Sequence, residues 1–197
     1  MWPSVEVRWF YRGAIPPAVG AWFRAGLPQA SAEPVRTDRY LRLPGNQSLG
    51  IKVRGGLLEL KQRQESFGPH SFSPRAKGWV ERWRKWGFPV DETDASALAW
   101  TAPHGHWVDV EKARWTALLP YPLAGSQADW MACLVELTQV QAAGQTWWTV
   151  GLETAREAPP KLDVLVAVAR ELLQGDGMPE LALDASYGYP GWLDRHL

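Results

Sequence analysis

Cations recur at two-residue spacing in this chain, beside aliphatic residues of the opposite parity. Lys52 and Arg54 alternate with Ile51 and Val53, and Lys61 and Arg63 with Leu58 and Leu60. Lys112 and Arg114 form a third pair. Arg8 follows Glu6 in a run where Val5, Val7 and Trp9 hold the other parity, and Arg42 lies between Leu41 and Leu43. A period of two is the signature of a β-strand and puts such charges on one face. The carboxylates Glu6, Glu59, Glu136 and Glu153 fall on the same faces. Arginine grips phosphate bidentately, and lysine offers a compact point charge. Carboxylates among them could hold Mg²⁺ or Mn²⁺, which bridges phosphate oxygens. The bland alternative is a solvated outer face laced with cross-strand ion pairs.

The elements that must position these residues are mostly strands. Val5 to Arg12 alternates cleanly, and Pro16-Pro17 opens a short helix over Ala18 to Leu27. Strands follow at Asp38 to Leu43, Ser48 to Arg54 and Leu57 to Arg63, with Pro44-Gly45-Asn46 and Gly55-Gly56 as turns. Trp79, Trp83 and Trp86 recur at i, i+4 and i+7, which predicts a short amphipathic helix between Gly78 and Gly87. Val90 to His106 reads as a connection. Trp107 to Trp115 reads as a strand whose alternation is less clean, because Val108 and Val110 share the parity of Lys112 and Arg114. Trp130 to Val140 and Thr146 to Thr154 form a hairpin around Ala142-Ala143-Gly144. Pro159-Pro160 opens a helix through about Gln174, and the tail from Ser186 to Leu193 reads as irregular and aromatic. Seven or eight antiparallel strands with repeated cations on one face do not make an ordinary sandwich. A closed sheet would point those side chains into a lumen. Crowded cations there need a counter-charge, most simply a polyanion.

The chain has 197 residues, 46% apolar and 21% charged, which suits one folded domain over 1–197. Lys plus Arg is 21 and Asp plus Glu is 21. A net charge of zero argues against whole-molecule attraction to nucleic acid or anionic lipid. One cysteine, Cys133, rules out an internal disulfide framework and reads as a core residue. No stretch approaches the roughly 18 apolar residues of a membrane span. The first residues, MWPSVEVRWF, lack a signal-peptide layout. A soluble, cytoplasmic protein is the expectation.

Taken in order, the strands resemble the CYTH superfamily, the triphosphate tunnel metalloenzymes that include thiamine triphosphatase and inorganic triphosphatases. Ser4-Val5-Glu6-Val7-Arg8 stands where that family has E-x-E-x-K. Asp38 to Arg42 followed by Leu49-Gly50-Ile51-Lys52-Val53-Arg54 resembles its aspartate and L-x-I-R-x-R strands. Leu58-Glu59-Leu60-Lys61-Gln62-Arg63 resembles E-x-K-x-R, and Val110-Glu111-Lys112-Ala113-Arg114 resembles V-x-K-x-R. Val150-Gly151-Leu152-Glu153 resembles the late E-x-E strand, and Ser186-Tyr187 the terminal S-Y motif. The resemblance implies a mainly β fold with peripheral helices (α+β), an eight-stranded antiparallel β tunnel. It implies a triphosphate held by Arg8, Lys52, Arg54, Lys61, Arg63, Lys112 and Arg114, with Arg42 added by strand parity. It implies Mg²⁺ or Mn²⁺ held by Glu6, Glu59 and Glu153, with Glu136 added by parity. Glu6, Lys61 and Glu153 would serve the catalytic step, metal-assisted hydrolysis. The expected partner is a small phosphorylated anion: tripolyphosphate, a nucleoside triphosphate or thiamine triphosphate. Ser4 and Gly151 replace two of the family's carboxylates, and Arg8 replaces its lysine. Phosphate-chain binding is therefore expected ahead of efficient hydrolysis. The alternative is a binding or protein-interaction module without a metal site.

Other motifs carry less. His104 and His106 could face one side of an extended segment as metal ligands, but no third ligand is evident. There is no Walker A sequence and no G-x-G-x-x-G. Trp147 and Trp148, adjacent on a strand, must face opposite sides.

Overall fold

Alternation in the first strand decides how the molecule is built. A computed structural model of the chain describes residues 2–27, 29–91, 106–122, 130–155, 162–174 and 178–197. Strand β1 (Trp2–Arg12) turns Val5, Val7 and Trp9 outward into an apolar cluster, and Glu6, Arg8 and Phe10 inward. Helix α1 (Pro17–Gly26) follows, with Pro17 in its first turn, where a missing N–H costs nothing. It lays Val19, Trp22 and Phe23 on the outer wall. The remaining strands are β2 (Ser31–Ala32), β3 (Arg36–Arg42), β4 (Leu49–Arg54), β5 (Leu57–Ser73), β6 (Ala76–Pro89), β7 (His106–Pro122), β8 (Trp130–Ala142) and β9 (Gln145–Ala155).

All pairings are antiparallel, in the order β7-β3-β4-β5-β6-β1-β9-β8, and β7 pairs with β8 to close an eight-stranded barrel. The expected tunnel architecture is present. Strand β2 lies outside it on β7 and was not foreseen. The β4–β5 turn at Gly55-Gly56 (φ 52° and 73°) and the β8–β9 turn at Ala143-Gly144 (φ 48° and 71°) have the left-handed residues that match strand twist. The β5–β6 hairpin is longer than the run to Arg63 predicted, and its register shifts between Arg63 and Glu65, Ser66 and Gly68, and Ser71 and Ser73. Such bulges bend a long ribbon.

Two readings of the sequence are corrected here. The segment from Trp79 to Trp86 is not a helix but part of β6, paired with β1 on one side and β5 on the other. Spacing of four keeps Trp79 and Trp83 on one parity in a strand as well, so the tryptophans alone could not separate the two periods. The tail is not irregular throughout. A 3-10 turn at Leu183–Ala185 leads to a final helix, here α3 (Tyr189–His196), with Pro190 in its first turn. The helix predicted after Pro159-Pro160 is present as α2 (Leu162–Leu172); the two prolines lie outside the described residues. The same holds for residues 92–105 of the connection before β7, and so for His104.

The larger apolar cluster sits between the barrel wall and the helices. Val5, Val7, Trp9, Val135, Leu137, Val150 and Leu152 from the wall meet Val164, Leu165, Val168 and Ala169 of α2. Cys133 is buried in it. A second cluster lies inside the barrel at one end, where Phe10, Tyr40, Val110, Val140 and Trp147 surround Trp192 and Leu193 of α3. Val108 packs against it. This explains the imperfect alternation of β7, whose inward face is apolar at one end and cationic further along. Trp147 faces the inner cluster and Trp148 the outer one, as adjacent strand residues must. No helix among the described residues is long and apolar enough to cross a membrane.

Candidate functional site

Strand parity brings the expected charges other than Arg42 together in the lumen. Arg8, Lys52, Arg54, Lys61, Arg63, Lys112 and Arg114 face inward, and so do Glu6, Glu59, Glu136 and Glu153. The structure adds residues that the sequence reading gave no place in the site, among them the motif aspartate Asp38. Lys85 and Glu81 come from β6, once that segment is a strand; Lys85 stands opposite Lys61 in register, and Glu81 opposite Glu6. Arg36, Asp38 and Tyr40 come from β3, and Glu33 from the loop before it. Glu81, Trp83 and Lys85 alternate as a strand face does, a signal hidden behind the helical spacing of the tryptophans.

The deepest layer is nearly dry. Asp38 is fully buried, Lys112 is 4% exposed, and Arg8 and Glu136 are 9% exposed. Asp38 receives Lys112 at 2.9 Å, Lys52 at 3.3 Å and Arg36 at 3.1 Å. Burial alone would raise its pKa, but Lys112, Lys52 and Arg36 hold it well below the usual carboxylate range. Glu136 bridges Arg8 at 2.8 Å and Arg114 at 2.9 Å and is held low against burial by the same two guanidinium groups. Burial and the repulsion of Lys52 push Lys112 well below its ordinary value, against the attraction of Asp38. Its Nζ also donates to the Tyr40 hydroxyl at 2.7 Å.

Further along, the side chains reach solvent. Lys61 pairs with Glu6, and Lys85 with Glu153 at 2.7 Å. Glu59 takes Lys52 at 2.9 Å and Arg54 at 2.6 Å, and Glu81 takes Arg63 at 2.6 Å. Lys61 is 27% exposed, Arg54 34% and Lys85 35%. Burial would raise Glu153, but Lys85 and Lys61 bring it down to about 2. Arg42 lies apart, at the apolar end, where its Nε donates to the Leu193 carbonyl of α3 at 3.2 Å.

Gly151 has a steric explanation. A Cβ there would stand 2.8 Å from Cζ of Arg8. Arg8 and Gly151 are register partners on β1 and β9, so the long guanidinium occupies the space that any side chain at 151 would need. Ser4, on the same face, donates to Glu6 at 3.4 Å.

A divalent cation needs several oxygens free to converge on it. Among the described residues no three carboxylate, histidine or cysteine side chains form such a group. Glu6 and Glu153 are register neighbours, but Lys61 and Lys85 already neutralise them. The donor set does not fit Mg²⁺ or Mn²⁺ as arranged. Nine cations in the ion-pair network share seven carboxylates, so the network carries an excess of positive charge. Compared with protein-family models and with curated proteins, the sequence matches none.

Proposed function

We propose that the barrel binds a small phosphorylated anion, such as tripolyphosphate or a nucleoside triphosphate, in the charged part of its lumen. The observation that carries this reading is the sharing of carboxylates. Three cations converge on Asp38 and two each on Glu136 and Glu59, so the positive charge is only partly neutralised within a low-dielectric space. Phosphate oxygens match the donors that remain, since an arginine carries five N–H groups and a lysine three. The similarity of strand motifs to the triphosphate tunnel enzymes supports the same ligand class. The carboxylates, each already paired, support binding without efficient turnover; a hydrolase would need Glu6 and Glu153 released to a metal.

A second reading rests on the same network. Every lumen carboxylate named above has a protein cation, and α3 fills one end, so the charges could hold the barrel together without a ligand. Calorimetric titration of tripolyphosphate, with and without Mg²⁺, separates the two. The expected result is saturable binding that needs no metal and is lost in the Lys61→Ala, Arg63→Ala double variant, with no phosphate released. Absence of binding by the folded protein sinks the anion reading in favour of the second. Binding with Mg²⁺-dependent phosphate release would make the protein an enzyme.

A further inference from the structure

Helix α3 gives the lumen a floor. Trp192 is fully buried inside the barrel and stacks on Phe10 with centroids 5.3 Å apart, while Tyr189 stacks on Tyr40 at 5.3 Å. Pro190 packs closely on Gly50, where a Cβ would meet its Cγ at 3.2 Å. The helix is pinned rather than hinged. Arg42 holds the Leu193 carbonyl, the Gly45 N–H donates to Asp194 at 2.6 Å, and the preceding Ser186 bridges to Trp9 and accepts the Trp79 N–H at 2.9 Å.

The floor also carries unmet donors, the Trp192 Nε1–H within the apolar cluster and the Tyr189 hydroxyl beside the charged layer. The hydroxyl of Tyr189 is shielded from solvent and has no hydrogen-bond partner among the described residues. Its ring covers Nζ of Lys112 at 3.9 Å and Cζ of Arg8 at 5.3 Å from the centroid. After burial itself, the strongest influences on that hydroxyl are Arg8, Glu136 and Asp38, so it belongs to the deepest charged layer. A buried hydroxyl without an acceptor is costly and uncommon. An anion oxygen seated on the floor would supply the acceptor beside two cations.

We infer, building on the anion-binding reading, that the barrel is a one-ended pocket that takes the end of a phosphate chain, with Tyr189 donating to the terminal group. A tunnel open at both ends would accept any internal stretch of a long chain, so affinity counted per chain would climb with length. A pocket with a floor meets only chain ends, and affinity per chain stays flat.

The test is calorimetric titration of wild type and Tyr189→Phe with tripolyphosphate and with long-chain polyphosphate, both counted in chains. The expected result is the same Kd per chain for the two ligands, and binding weaker by about tenfold in Tyr189→Phe, since one charge-assisted hydrogen bond is lost. The variant keeps the ring, so an unchanged melting temperature marks the loss as one of contact rather than folding. Affinity rising in proportion to chain length overturns the one-ended pocket. A Tyr189→Phe protein that binds as wild type does overturns the role of the hydroxyl. Both outcomes leave the anion-binding reading standing, whereas a wild type that binds neither ligand removes that reading and this inference together.

Discussion

The two faces of the barrel wall are made by the same strands and do opposite work. Outward, Val5, Val7, Trp9, Val150 and Leu152 pack on one another and on α1 and α2. Inward, one residue away in each case, stand Glu6, Arg8, Gly151 and Glu153. Most small barrels fill the interior with apolar side chains and wet the outside. Here the main apolar cluster is outside, under the helices, and folding does not depend on the charged part of the interior for apolar burial. The difference teaches that apolar burial and charge are separable along one strand, by parity alone.

The comparison breaks first if the inner charges prove dispensable. Asp38→Asn leaves Lys112, Lys52 and Arg36 without their shared carboxylate and is expected to cost about 3–5 kcal/mol, the range for breaking a buried ion pair. Urea unfolding measures it. If the lumen accepts anions, tripolyphosphate raises the melting temperature of this variant more than that of wild type. A shift no larger than wild type's would place the two faces on the same structural footing.

On the outer face, Leu165→Ala, fully buried in α2, should cost about 2–5 kcal/mol by cavity formation. Calorimetry should find its tripolyphosphate affinity unchanged. A fall in affinity alongside the fall in stability would show that the faces are coupled.

Gly151→Ala tests the inner face sterically. The new methyl meets the Arg8 guanidinium at 2.8 Å, and forcing it aside should cost about 1–3 kcal/mol and loosen the Arg8–Glu136 pair. Thermal melts read the first effect and anion titration the second.

Acid should act on the inner face through its depressed carboxylates. Asp38, Glu136 and Glu153 are all held below their ordinary values in the folded state. Their contribution to stability is complete above the unfolded pKa of about 4 and is lost as pH falls towards the folded values. Melting temperature should decline steadily below about pH 5, and the Asp38→Asn variant should decline less. The smallest effect belongs to Ser186→Ala, which strips the Trp79 N–H of its acceptor for about 1 kcal/mol.

Much of this was legible in the sequence where one local rule governed. Alternation fixed the sides of Glu6 and Arg8, of Lys52 and Arg54, and of Trp147 and Trp148, because side chains on a strand have no other choice. Lys85 and Glu81 were hidden because three tryptophans offered a helical period, and pairing on both edges of β6 overrode it. The start of α3 was signalled by Gly188 and Pro190, but an aromatic tail of eight residues gives no sign of which surface it will enter.

By itself the sequence determined most of the strands and the division of their residues between two faces, since both follow from a period of two; the eight-stranded tunnel was implied by the resemblance to the triphosphate tunnel enzymes, and the middle of β6 was hidden. It also determined that one face would be cationic with interspersed acids; closure of the sheet decided that this face points inward. Tertiary structure alone decided which carboxylate meets which cation, because register and closure between β7 and β8 bring together residues as distant as Arg8 and Glu136. It alone decided that Gly151 makes room for Arg8, and that the last helix enters the lumen and makes one end a floor. These depend on the distances between chain segments remote in sequence, which no local pattern encodes.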